Sequence, residues 1–106
     1  MKESDIQRQI MQWAKSNPHL VPCLFRVNSG TFQSFTGYIV AGAPKGTPDL
    51  IGYLPDGRML AVEVKGPKGV RSVEQVEWSK KAKSHGCKVL CVQSLQAFVK
   101  ALLEVE

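Results

Sequence analysis

Apolar positions recur at helical spacing in the first sixteen residues. Ile6, Ile10, Trp13 and Ala14 fall on one face, which predicts a helix over residues 4–16. Ser4 followed by Gln7 has the form of a capping box, and Asn17-Pro18 stops the helix. Residues 20–27 are apolar and read as a strand, with Pro22 at its edge or outside its ladder. The glycine-spotted stretch 28–46 is too long for an idle connection, so a functional loop or a hairpin of its own is expected there. Residues 49–54 and 58–65 then read as two strands around the turn Pro55-Asp56-Gly57. Gly66-Pro67-Lys68-Gly69 breaks the pattern. Ser72, with Gln75 in the capping-box position, starts a helix over 73–85 that Gly86 ends. A strand over 88–93 and a helix over 95–103, capped by Ser94, complete the chain. The order α-β-β-β-α-β-α describes an α/β protein whose mixed sheet carries an antiparallel hairpin at its centre, with helices packed against it.

Side chains alternate faces along a strand. In the second hairpin strand Leu60, Val62 and Val64 point one way, while Met59, Ala61, Glu63 and Lys65 point the other. A two-residue Asp56-Gly57 turn would set Leu50 opposite Glu63. A three-residue loop would pair Leu54 with Arg58, Leu50 with Val62 and Asp49 with Glu63. The burial pattern favours the second register, because a slip of one residue mixes a carboxylate into the core. Directly opposed side chains have Cβ atoms roughly 4.5–5.5 Å apart, and two carboxylates so close repel unless a cation lies between them. Mg²⁺ suits such a pair, since it binds one or two carboxylates, several waters and substrate phosphate. Lys65, two residues from Glu63 on the same face, can orient or deprotonate a water and stabilise charge developing on phosphorus. An acid-x-lysine triplet alone is common on solvated strand faces. Asp49 at one strand start, matched in register to Glu63 at the end of the next, makes the hydrolytic set more specific.

The chain has 106 residues, enough for one compact domain spanning 1–106. Its 43% hydrophobic and 22% charged residues are an ordinary globular balance. The net charge of +5, from 14 Lys and Arg against 9 Asp and Glu, favours a polyanionic partner without proving one. Cys23, Cys87 and Cys91 are odd in number and form no C-x-x-C pair, which argues against a disulfide framework or a zinc knuckle. Cys87 and Cys91 are expected as small buried residues of a strand, in a reducing setting. No apolar run approaches the roughly 18 residues of a membrane span, and residues 1–12 lack a signal-peptide core, so a cytoplasmic location is expected.

Gly46-Thr47-Pro48-Asp49-Leu50, the hairpin, and Ala61-Val62-Glu63-Val64-Lys65 together resemble the core of the PD-(D/E)XK nucleases. More narrowly the chain is similar to the VRR-NUC family, in its stand-alone, virus-type form. The first-helix run Glu3-Ser4-Asp5-Ile6-Gln7, the segment Phe25-Arg26-Val27-Asn28-Ser29-Gly30, Gln75, and Gly86 before Val89-Leu90-Cys91-Val92 extend the likeness along nearly the whole chain. The resemblance implies a restriction-endonuclease-like αβββαβ(α) core and a DNA endonuclease dependent on Mg²⁺ or Mn²⁺. It implies metal held by Asp49, Glu63 and the Val64 backbone carbonyl, catalysis by Lys65, and Gln75 in the active site. A first-helix acid, Glu3 or Asp5, is implied to contribute. Such single-domain members act on branched DNA, such as junctions or flaps, and often as homodimers; a viral source would put the protein in the host cytoplasm.

Arg26, Lys45, Lys68 and Arg71 flank the site and are candidates for phosphate contacts, or equally for plain solvated cations. Gln75 could serve the capping box, the active site, or both. Phe32, Phe35 and Tyr38 are expected to pack, at a dimer interface, more readily than to wedge against DNA. Two competing readings remain: a non-catalytic DNA-binding module on a nuclease fold, and a sequence-specific restriction-like enzyme.

Overall fold

The turn of the central hairpin fixes the register of everything around it. In the computed structural model, which describes residues 1–28, 31–33 and 35–104, the Leu54 amide donates to the Arg58 carbonyl at 2.9 Å, and the Gly57 amide donates to the Leu54 carbonyl at 2.9 Å. Gly57 has φ 89°, left-handed backbone that glycine adopts at little cost. The loop therefore has three residues. It joins β4 (Leu50–Tyr53) to β5 (Met59–Val64) with Leu50 opposite Val62.

The hairpin is the middle of a four-stranded sheet. On one side β1 (Cys23–Arg26) pairs antiparallel with β4. On the other, β5 runs into α2 (Val73–Ser84) and returns as the parallel strand β6 (Lys88–Val92), giving the order β1-β4-β5-β6. Pro22 lies before β1, as its missing donor requires. The segment between β1 and β4 holds its own antiparallel hairpin, β2 (Thr31–Gln33) with β3 (Ile39–Ala41). Ser29, Gly30 and the Phe32 side chain lie outside what is described.

One face of the sheet forms the main core. Leu50, Leu60, Val62, Val64 and Val92 are buried against Ile6, Ile10 and Ala14 of α1 (Glu3–Ser16) and against Phe98 and Leu102 of α3 (Leu95–Leu103). Trp13 meets Phe98 edge-on, centroids 5.8 Å apart. Lys88 is also buried on this face, and its ammonium donates to the Leu102 carbonyl at 3.1 Å, where a cation suits the negative end of α3. The opposite face, carrying Ala61 and Glu63, lies under α2, whose start is fixed by the Ser72–Gln75 capping box.

Two expectations need correction. Ser4 does not cap α1: the helix begins at Glu3, because the Lys2 carbonyl accepts the Asp5 and Ile6 amides and draws the first turn back over Ser4. Cys91 is not buried. It sits on β6, an edge strand of the four-stranded sheet, and is exposed, while Cys23 and Cys87 are half-buried; all three are free thiols.

Candidate active site

The site forms where β4 begins and β5 ends. Register carried one step beyond the Leu50–Val62 pair sets Asp49 opposite Glu63. Asp49 precedes β4, yet its backbone is already in the ladder, since its carbonyl accepts the Val27 amide at 2.8 Å. Its side chain reaches across to β5, where Oδ2 accepts the Val64 amide at 2.8 Å. The loop before it is held from the other side. Gly46 has φ 93° and packs so tightly on the first turn of α2 that a Cβ there would lie 2.6 Å from the Glu74 carbonyl oxygen. Lys45 adds a surface ion pair to Glu74 at 3.6 Å.

Glu63 is fully buried. A carboxylate removed from water needs a partner, and Arg71 supplies it through a two-pronged contact: Nε donates to Oε2 at 3.0 Å and Nη2 to Oε1 at 3.2 Å. The same Nη2 donates to the Gln75 carbonyl at 3.4 Å. The turn at Gly66 brings Arg71 back over the strand, closed by the Gly69 amide on the Gly66 carbonyl at 3.0 Å. Gly69 leaves room for Lys65, since a Cβ on Gly69 would sit 3.1 Å from the Lys65 Cβ. Of the four candidate phosphate contacts, Arg71 is thus turned inward onto Glu63 and Lys45 is paired with Glu74. Arg26 and Lys68 are exposed.

Glu3 faces the site. Its side chain lies 3.8–3.9 Å from where a Cβ on Gly66 would be, and its charge acts on Asp49. Asp5 turns away to Arg8 at 3.3 Å. Partial burial pushes the Asp49 carboxyl above its ordinary value; the Val64 amide opposes that, Glu3 adds to it, Lys65 opposes it, and Glu63 adds to it weakly. Partial desolvation of the thiol by its neighbours, followed by the charge of Glu63, pushes Cys91 up. The hydrogen bond to Glu63 holds the Arg71 guanidinium still more firmly protonated.

Three acids, Glu3, Asp49 and Glu63, therefore converge with two cations, Lys65 and Arg71. Among the described residues no cluster of three His, Cys, Asp or Glu side chains is gathered tightly enough to enclose a metal ion. Mg²⁺ does not need such a cage, as one or two carboxylates with waters and substrate phosphate suffice. The all-oxygen donor set of the Asp49 and Glu63 carboxylates, set opposite each other by the strand register, fits a hard divalent cation.

The VRR-NUC domain model matches residues 1–96. The chain belongs to the VRR-NUC family. This family lies in the PD-(D/E)XK superfamily, and the four-stranded mixed sheet with its flanking helices is compatible with a restriction-endonuclease-like core. VRR-NUC membership makes this a nuclease-type domain with DNA as its substrate, in a class that generally uses divalent metals. No curated protein and no solved structure matches the chain. No helix among the described residues is long and apolar enough to cross a membrane.

The role of Arg71 at Glu63 is the feature sequence reasoning missed. The sequence marks a break at Gly66-Pro67-Lys68-Gly69, but nothing in it says which side chain beyond the break returns to the strand.

Proposed function

We propose that this VRR-NUC domain is a metal-dependent, structure-selective DNA endonuclease that hydrolyses phosphodiester bonds in branched DNA, such as four-way junctions or flaps. The observation that carries the reading is the matched register of Asp49 and Glu63, with Lys65 beside them on the same face. Asp49, Glu63 and the Val64 carbonyl would hold Mg²⁺ or Mn²⁺. When bound, the ion supplies Lewis acidity toward the phosphate and counter-charge for the transition state.

The chain's own residues supply the rest. The Val64 amide fixes the Asp49 carboxylate, and Glu3 adds negative charge at the same mouth. Lys65 orients the attacking water and offsets the charge that develops on phosphorus. Gln75 closes the N-terminal turn of α2 with Ser72, and its backbone carbonyl accepts from Arg71 beside Glu63. Arg26 and Lys68, both exposed, are suited to contacts with the DNA backbone.

A homodimer of this single domain fits branched DNA, since two symmetric sites suit paired cuts. Phe35, 105% exposed, and Tyr38, 75% exposed, offer apolar surface at the tip of the β2–β3 hairpin for such a contact. Three free cysteines suit a reducing, cytoplasmic setting.

The deciding experiment compares linear duplex, flap and four-way junction as substrates, with Mg²⁺, Mn²⁺ or EDTA, for the wild type and Lys65→Ala. The expected result is metal-dependent cutting of a branched substrate that Lys65→Ala loses. Salt-sensitive binding without cutting would make the chain a binding module instead. Equal or better cutting of linear duplex at one sequence would make it restriction-like.

A further inference from the structure

We propose that Arg71 is a built-in counter-cation for Glu63 which a divalent metal ion must displace, so that this guanidinium sets how tightly the acidic pair takes metal. The proposal rests on the reading of Asp49 and Glu63 as metal-holding groups. Glu63 is 0% exposed, and the Arg71 fork engages both of its oxygens at 3.0 and 3.2 Å. An ion bridging the two acids needs at least one of those oxygens. The guanidinium and the metal therefore compete for the same lone pairs.

The two ends of the acidic pair are not alike. Glu63 already has a full positive charge against it. Asp49 is held by a neutral amide instead, the Val64 N–H at 2.8 Å. Exchanging one guanidinium for one divalent ion would serve both acids at once. Arg71 is placed to make that exchange. It precedes the Ser72 cap instead of lying within α2, its side chain is 30% exposed, and its remaining contact, to the Gln75 carbonyl at 3.4 Å, is long. Once released, its planar fork matches a phosphate, so the residue that guards Glu63 is also equipped to meet the substrate.

The test is Mn²⁺ binding by calorimetry at pH 8, without DNA, for wild type, Arg71→Met, Arg71→Lys and Asp49→Asn. Arg71→Met keeps the aliphatic stem but removes the competitor, and should bind Mn²⁺ about tenfold tighter or more, the scale of one charge-assisted contact. Arg71→Lys, a point charge without the fork, should fall between. Asp49→Asn should abolish binding. A purely structural arginine would give equal or weaker binding in Arg71→Met, and that result, with Asp49→Asn still abolishing binding, would overturn the displacement while leaving the metal site intact. Loss of the Asp49→Asn effect, or no Mn²⁺ binding by any form, would instead overturn the metal-site reading itself. Should Arg71→Met fail to fold, the wild type decides. The ¹⁵N signal of Arg71 Nε should move on saturation with Mg²⁺, and an unmoved signal at saturation would overturn the proposal.

Discussion

Asp49 is tied to the strand that carries Glu63: its Oδ2 accepts the Val64 amide at 2.8 Å, so the loop entering β4 and the end of β5 move as one piece. Asp49→Asn retains an oxygen for that amide, whereas Asp49→Ala leaves the amide without it. Thermal denaturation of the metal-free proteins should show Asp49→Ala about 1 kcal/mol less stable than Asp49→Asn, the scale of one part-buried hydrogen bond. On the proposed reading of Asp49 as a metal-holding group, both should lose DNA cleavage by about a hundredfold or more, because both remove the carboxylate charge.

The raised carboxyl of Asp49 gives a pH dependence with a definite sign. Its folded pKa lies above the ordinary 3.8, chiefly through burial. The native state therefore binds the proton more readily than the unfolded chain, and stability falls as pH rises from 3.8 through the folded value. Ionised Asp49 costs stability at neutral pH in the absence of metal. Asp49→Asn should match or exceed the wild-type melting temperature at pH 7, and that advantage should shrink as pH drops toward 3.8. Melting curves at several pH values in EDTA check it; an advantage that grows on acidification would contradict the assignment.

Ser72 and Gln75 share a capping box, so stability alone cannot separate capping from a role in the site. The Gln75 amide donates to the Ser72 hydroxyl at 3.1 Å, and the Ser72 amide donates to the Gln75 side chain at 2.9 Å. Ser72→Ala and Gln75→Ala should each cost about 1 kcal/mol. If Gln75 also serves the reaction, its alanine variant should lose at least about tenfold more cleavage than Ser72→Ala at equal stability, a gap of the 1.4 kcal/mol order. Equal losses would assign Gln75 to capping alone.

The register at the heart of the site was legible because it follows from alternation. Leu60, Val62 and Val64 are buried together, which a single slip would destroy, and the observed Leu50–Val62 pair obeys that constraint against the local preference of Asp56-Gly57 for a shorter turn. The caps at Ser72 and Ser94 were legible for the same local reason. Ser4 misled, since a backbone carbonyl at Lys2 competes for the same amides and leaves no trace in side-chain identity. The Arg71–Glu63 pair depends on how tightly the chain reverses at Gly66. Periodicity says nothing about distances across an irregular turn, so the partner of the buried acid emerged only in three dimensions.

Gly46 is the position where backbone geometry and the site meet. Its φ of 93° is strained for any residue with a side chain, and a Cβ there would lie 2.6 Å from the Glu74 carbonyl oxygen and 2.7 Å from its carbon. Those are backbone atoms of the first turn of α2, which the Ser72–Gln75 box holds in place, so neither partner can yield cheaply. Gly46→Ala should therefore destabilise the fold by about 1–3 kcal/mol, the range of a forced left-handed residue. The displaced segment leads within three residues to Asp49, so metal-dependent cleavage should fall more steeply than the loss of folded protein explains. Gly57→Ala is the control: it has a similar φ of 89° but nothing within 4 Å of its Cβ, and it sits at the far end of the hairpin. It should lose comparable backbone stability while keeping cleavage per folded molecule. Cleavage rates normalised to the folded fraction from circular dichroism separate the two, and equal activity in both variants would show that the α2 contact at Gly46 does not position Asp49.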